Sequence, residues 1–378
     1  MSKPKIIRAC TVPMSLVFVK DLLSDLKEKY EVMLLSSPGS EWEEVRKQHP
    51  DVKCIELTME RHISPVKDLK SLWQLWCTFR KEKPQMVHSM TPKAGMLCMV
   101  AARLAGVPVR IHTFTGLVFP TAVGLKRKIL MATDWLTCAC ATHIIPEGEG
   151  VKNDLLNNGI TKKPIKVLGY GSCQGINLER FDRTPDVMAE SEKLHEEGVF
   201  TFIAVGRLVS DKGINELVEA FVKLNKEHLN LRLILVGPEE EKLDPLKSET
   251  IRSIAKYSAI DAVGVKSDVR PWFAASDVAV LASYREGFPN VVIEAGAMGL
   301  PSIVTDINGC NEIIIDGQNG VIIPPKNEEA LYAAMKHFVD EPSEVERMAA
   351  NARSLIVSRY DQQMVWDALL KEYQSLCQ

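Results

Sequence analysis

Two doubly wound α/β domains facing each other across a cleft are predicted by three observations. Short apolar runs alternate with longer amphipathic stretches, as strand–helix–strand units around parallel sheets do. The pattern restarts near residue 200 after an irregular segment, GYGSCQGINLERFDRTPDVM, whose glycines, Asn177 and Pro185 mark an interdomain hinge. The chain has 378 residues, more than one ordinary core takes and enough for two. The expected boundaries are 1–175 for the first domain and 176–360 for the second.

In the first half the apolar runs predict strands at Lys5–Ala9, Glu31–Ser36, Lys53–Glu56, Met86–Ser89, Val109–His112, His143–Ile145 and Ile165–Leu168. In the second half they predict Phe200–Val205, Arg232–Val236, Ala259–Val263, Val278–Leu281, Ser302–Thr305 and Gly320–Ile323. Helical periodicity falls between them at Ser15–Lys29, Pro65–Glu82, Lys93–Ala105, Ile214–Asn225, Asp268–Ala275, Asn290–Met298 and Glu328–Phe338. Ligands of such sheets bind at the carboxyl ends of the strands, so the cleft is the expected site.

A 46% hydrophobic and 25% charged composition is that of a soluble globular protein. A net charge of −3 gives no sign of a nucleic-acid partner. The nine cysteines are scattered through apolar runs and read as reduced thiols; Cys138 and Cys140 lack the further ligands of a zinc site. The N-terminal apolar run is broken by Pro13 and is too short for a signal peptide. No segment offers the roughly 20 apolar residues of a spanning helix. A cytoplasmic protein that touches the membrane face peripherally is expected. GYGSCQG lacks the spacing of a dinucleotide loop, and no phosphate-binding Walker loop occurs.

Two stretches carry the chemistry. After Phe200–Val205 come Gly206 and Arg207, then Asp211-Lys212-Gly213 and a helix. Two cations five residues apart at the end of a buried strand suit phosphate oxygens, Arg as a fork and Lys as a point charge. A surface loop with two solvated charges is the alternative. The second stretch is SYREGFPNVVIEAGAMG. Pro289 fits a helix start, and the amides of Asn290, Val291 and Val292 would form an anion site at the helix end. Glu286 precedes that end and Glu294 lies one turn inside it. Carboxylates repel phosphate, so both are expected to accept hydrogen bonds from hydroxyls on either side of it. A nucleoside diphosphate sugar has that layout. The alternative makes Glu286 a capping aid and Glu294 a paired or solvated residue.

SYREGFPNVVIEAGAMGLPSIVTDINGCNEIIIDGQNGVIIPP strongly resembles the signature of family-4 retaining glycosyltransferases, which have the GT-B fold. VGRLVSDKGINELVEAF resembles the same family's Gly-Arg and Lys pair. VHSMTPKAGMLCMVAARLAGVPVRIHTFTGL is similar to the first domain of its capsule and O-antigen branch. The resemblance implies that Arg207, Lys212 and Glu286 are catalytic, the cations on the diphosphate and Glu286 on the donor sugar. It places Gly206, Gly287, Phe288, Pro289, Asn290 and Val291 near sugar and phosphate, Glu294 on the ribose and Val265 near the base. It implies a last helix, 361–378, crossing back to the first domain. Many relatives carry a His where this chain has Thr115. Ser15, His88, Lys93, Thr115 and Gly116 are the acceptor-side candidates, with helix capping the safer reading for Ser15 and packing for His88 and His112.

The implied reaction moves a hexose or N-acetylhexosamine from a nucleotide sugar, UDP-linked by preference, to a polyprenyl-diphosphate-linked sugar. No Asp-x-Asp occurs, so neither metal nor cofactor is expected. Leu69, Leu72, Trp73, Trp76 and Phe79 share one face of the helix Pro65–Glu82, which either packs on the sheet or meets lipid. Lys126, Arg127 and Lys128 form a basic cluster that suits anionic lipid. A nucleotide-sugar 2-epimerase and a non-catalytic assembly partner are the competing functions.

Overall fold

The computed structural model describes residues 3–16, 19, 21–60, 64–240 and 244–377. The chain forms two units, Met1–Gln174 with Gln363–Gln378, and Gly175–Gln362. Among the described residues no helix is long and apolar enough to cross a membrane.

The first unit is built on a six-stranded sheet of β1 (Lys5–Ala9), β2 (Glu31–Ser36), β3 (Lys53–Glu56), β4 (Met86–Met90), β5 (Val109–Phe114) and β6 (His143–Pro146). The order is β3-β2-β1-β4-β5-β6, and every pairing is parallel. Parallel strands are covered on both faces, which is why they read as nearly continuous apolar runs. Ile7, Ala9, Met33 and Val87 pack beneath the helices Pro65–Glu82, Pro92–Ala105 and Gly124–Cys140. Ile6, Leu34, Met86 and Ile111 face the other way, under Leu369, Leu370 and Tyr373 of the helix Gln362–Leu376.

Arg8 sits in that second layer, only 2% exposed. Its guanidinium donates to the Tyr373 hydroxyl at 2.7 Å and to the Met90 sulfur at 3.0 Å. His88 shares the same hydroxyl through Nδ1 and reaches Thr113 Oγ1 at 2.7 Å through Nε2. Burial, with Arg8 nearby, holds the imidazole well below its usual pKa. A neutral His88 is what this network requires, because a second buried cation beside Arg8 would be uncompensated.

The expected strand Ile165–Leu168 does not form. Pro164 removes a donor at its start, and the segment runs as irregular chain past β6, with one long contact from Lys166 N to Ile144 O at 3.5 Å. The remaining strands fall within two residues of expectation. The helix expected over Ser15–Lys29 is a 3-10 turn at Pro13–Leu16 and an α-helix at Leu23–Lys29; Val17, Phe18 and Lys20 lie outside the described residues.

Of the two readings of the helix Pro65–Glu82, packing on the sheet through Leu69 and Trp73 does not hold. Its buried stripe is Asp68, Ser71, Leu75 and Phe79, whereas Leu69 and Trp73 are 67% and 63% exposed. Polar partners make the stripe possible. Asp68 pairs with Lys93 at 2.6 Å, and the Ser71 hydroxyl donates to Thr58 O at 2.7 Å.

The second unit repeats the plan with β7 (Phe200–Val205), β8 (Leu231–Val236), β9 (Ile260–Gly264), β10 (Val278–Leu281), β11 (Ser302–Thr305) and β12 (Gly320–Ile323), ordered β12-β11-β10-β7-β8-β9. Phe202, Leu233 and Val280 pack against the helices Ile214–Leu224 and Glu328–Asp340. Ile203, Ile234 and Val304 pack with Ile293 and Ala297 of the helix Asn290–Ala297 and with Ile356 and Tyr360 of Pro342–Tyr360. Strand order reverses at β7 and β10, the switch point where doubly wound sheets open a crevice for ligands.

Candidate active site

β7 and β10 run parallel in register, Phe202 beside Val278 and Ile203 beside Ala279. The loops leaving their carboxyl ends therefore emerge side by side. One carries Arg207 and Lys212, the other Glu286. The structure joins these candidates directly: Lys212 Nζ forms an ion pair with Glu286 Oε1, both side chains being largely shielded. Asp211 ties the same loops together. Its carbonyl accepts from Tyr284 N at 2.9 Å, and its carboxylate pairs with Arg285 at 2.8 Å. Arg207 pairs with Glu240 from the loop after β8. Glu240 and Asp211 are polar neighbours that sequence reasoning missed. Both are charged residues in loops, and only strand order reveals what they face.

Two glycines make this packing possible. Gly213 follows the 3-10 turn Ser210–Lys212 at φ 68°, and a Cβ there would overlap the Ala282 carbonyl. Gly309, at φ 75°, lies so close to Gly287–Pro289 that its Cβ would stand 2.5 Å from Gly287 O. Both positions need the left-handed conformation and the missing side chain.

Pro289 precedes the helix Asn290–Ala297 with φ −76° and ψ 103°. The amide of Val292, one of the three donors expected there, is spent on Pro289 O at 3.1 Å. Phe288 is buried and meets Tyr360 edge-on at 5.5 Å, a structural role that fixes the loop. Gly206 follows β7 directly and donates its N–H to Val236 O at 2.9 Å. Val265 is 71% exposed just past β9. Glu294 is half-buried, and its carboxylate has no hydrogen-bond partner among the described residues. Burial pushes its pKa up to about 7, against the pull of Arg180. A carboxylate kept at that cost and left unpaired is available to ligand hydroxyls.

The acceptor-side candidates lie in the first unit. Lys93 is held by Asp68 in the first turn of Pro92–Ala105. Thr115 and Gly116 are half-buried just past β5, and Ser15 lies within the 3-10 turn. His88 is enclosed by the network with Arg8 and Tyr373. His112 is equally buried: its Nδ1 meets Ser89 Oγ at 2.9 Å, and Phe114 lies edge-on at 4.4 Å. Burial lowers its pKa to about 3. Both imidazoles are packed residues. Among the described residues no cluster of three His, Cys, Asp or Glu could hold a metal.

Two doubly wound units, with cations and carboxylates gathered at the switch point of the second, define the GT-B class of two-domain α/β proteins. Residues 17–171 match the family described as Glycosyl transferase 4-like domain, and 188–355 match Glycosyl transferases group 1. The capsular polysaccharide biosynthesis glycosyltransferase CapM of Staphylococcus aureus is 30% identical over 375 residues, covering 99% of this chain and 97% of CapM. The Escherichia coli UDP-Gal:alpha-D-GlcNAc-diphosphoundecaprenol alpha-1,3-galactosyltransferase is 30% identical, covering 80% of this chain and 79% of its own. Among solved structures, Anabaena HepE in complex with UDP superposes with a TM-score of 0.81 at 17% identity, covering 98% of this chain and 100% of HepE. The chain belongs to this glycosyltransferase family.

Proposed function

We propose that the protein transfers a hexose or N-acetylhexosamine from a UDP-sugar to a polyprenyl-diphosphate-linked sugar during bacterial surface polysaccharide synthesis. The observation that carries the reading is the Lys212–Glu286 pair at the switch point, with Arg207 on the same loop. A cation and a hydroxyl acceptor side by side are what a sugar diphosphate needs. The names of the S. aureus and E. coli relatives support the pathway, the UDP-linked donor and the lipid-linked acceptor.

In this reading the second unit holds the donor and the first the acceptor. Arg207 and Lys212 take the diphosphate, Glu286 the sugar hydroxyls, Glu294 the ribose and the segment around Val265 the base. Two cations and a helix terminus supply the positive charge that the leaving diphosphate needs, so transfer runs without a metal. The acceptor attacks the face from which the diphosphate departs, retaining the anomeric configuration, and the leaving phosphate oxygen takes the acceptor proton. No protein base is required, which accommodates Thr115 where many relatives have His. The test is nucleotide release from UDP-, GDP- and ADP-sugars with and without an undecaprenyl-diphosphate-linked GlcNAc acceptor. Release of UDP that depends on acceptor and resists EDTA is expected, with a retained linkage by NMR. A UDP-sugar converted to its C2 epimer without acceptor, with no net release of UDP, would instead mark a 2-epimerase.

The same reading places the enzyme on the cytoplasmic face of the membrane. Helix Pro65–Glu82 exposes Val66 (82%), Leu69 and Trp73; helix Gly124–Cys140 exposes Leu125 (73%) and Trp135 (56%) beside the exposed Lys126 and Lys128. Both helices pack against Pro92–Ala105, on one face of the first sheet. Apolar rings among cations suit an anionic bilayer surface. At about 1 kcal/mol per charge, Lys126→Gln with Lys128→Gln is expected to weaken binding to phosphatidylglycerol vesicles roughly 30-fold. Vesicle flotation that is unchanged by this pair and by Trp73→Glu would remove the membrane from the proposal.

A further inference from the structure

Described residues after β8, Pro238, Asp244 and Pro245, hold the loop that carries Arg207 and Lys212. Leu208 N donates to Pro238 O at 2.8 Å, Asp211 N to Asp244 Oδ2 at 2.7 Å, and the Ser210 hydroxyl to Pro245 O at 2.6 Å. Beneath the loop lies Asn215, 2% exposed, in the first turn of Ile214–Leu224. Its Nδ2 donates to Ser210 Oγ at 3.0 Å. Its Oδ1 accepts from Lys247 N at 2.9 Å and from the Thr250 hydroxyl at 2.8 Å. One buried amide thus fastens the turn Ser210–Lys212, Lys247 and the start of helix Ser248–Lys256.

We propose that Asn215 and Asp244 are positioning residues for the terminal phosphate of the bound nucleoside diphosphate. They act through the turn Ser210–Lys212, holding its backbone so that the Lys212 ammonium meets that phosphate. The inference rests on the assignment of Arg207 and Lys212 to the diphosphate.

Lysine is a flexible stem with four carbons, and it stabilises a developing charge well only when its base is fixed. Asn215 interrupts a helix face otherwise buried through Ile214, Leu217, Val218 and Phe221. A buried amide there requires partners for nearly all its hydrogen-bonding capacity, and three contacts supply them. Asp244 brings negative charge toward an anion site, which repulsion alone would disfavour. The strong bond it accepts from the Asp211 amide explains its place: it fixes the residue adjoining Lys212.

The test compares UDP, GDP and ADP with their monophosphates by calorimetry at pH 8, first on the wild-type chain. A wild type that prefers none of the diphosphates overturns the assignment of Arg207 and Lys212, and this inference with it. On the preferred pair, Asn215→Ala and Asp244→Ala are expected to lower diphosphate affinity about tenfold while leaving monophosphate affinity unchanged, because only the terminal phosphate loses its partner. Asp244→Asn keeps an acceptor oxygen and should restore most of the preference. Equal weakening of both ligands, no change in either, or an Asp244→Asn variant as impaired as Asp244→Ala would overturn the proposal while leaving the diphosphate assignment standing. Asp244 is half-buried in a loop, so its variants carry the test if Asn215→Ala fails to fold.

Discussion

Lys212→Ala is expected to lower turnover at saturating donor by on the order of 10²–10³, the typical cost of removing one preorganised group that stabilises developing charge. Two unit charges about 4 Å apart interact by roughly 4 kcal/mol at an effective dielectric near 20, enough to account for that loss. The substitution does more than delete a cation. It strips Glu286 of its ion partner, leaving a shielded carboxylate unpaired beside the proposed diphosphate site. The double variant Lys212→Ala, Glu286→Ala is therefore expected to bind UDP more tightly than Lys212→Ala alone, although it remains inactive. Steady-state kinetics with circular dichroism checks both statements. Near-wild-type turnover in a folded Lys212→Ala protein would refute the role assigned to it.

Glu294→Gln is expected to make the protein more stable and less able to use its donor. Burial raises the Glu294 carboxyl from 4.5 to about 7. The folded chain therefore holds this proton more tightly than the unfolded chain does. The destabilisation caused by ionising it begins above about pH 4.5, grows with pH and is complete once pH exceeds 7. At pH 8 it amounts to about 3 kcal/mol at most. Glutamine removes that cost, so Tm should rise by several degrees at pH 8 and little near pH 5. Donor use should move the other way, because an amide is a weaker hydroxyl acceptor than a carboxylate. In the wild type KM for a UDP-sugar should fall as pH rises through 7, and the variant should lose that dependence. Scanning calorimetry at the two pH values and KM profiles provide the check. A variant less stable at pH 8, or one keeping the wild-type profile, would refute this account.

The strands were legible because both sheets are parallel and covered on each face, so runs such as FTFIAV and SIVT stand out. Ile165–Leu168 has the same composition but no ladder, and composition cannot count ladder bonds. The Pro65–Glu82 stripe was hidden by Asp68 and Ser71, whose partners Lys93 and Thr58 lie in other elements. Pro342–Tyr360 went unassigned, although Val345, Met348, Ala352 and Ile356 recur at helical spacing. At the candidate site the sequence supplied Arg207, Lys212, Glu286 and Glu294 but not the pairing of Lys212 with Glu286. That pairing depends on β7 lying beside β10, a relation between residues more than seventy positions apart. Glu240 and Asp244 were invisible for the same reason: a charge in a loop says nothing about which loop it faces.

The Tyr373 hydroxyl, shared by Arg8 and His88, also bears on how the chain is made. The first unit needs Leu369, Leu370 and Tyr373 to close the layer over Ile6 and Leu34. On the ribosome, all of Gly175–Gln362 is synthesised before those residues exist, an interval on the order of 10–40 s at ordinary elongation rates. During that interval the nascent first unit carries an uncovered apolar face and an Arg8 without its Tyr373 partner, whereas the later-born second unit can complete itself first. The order of birth is thus the reverse of the order of completion, and nascent chains stalled before residue 363 should engage chaperones through the β1 face.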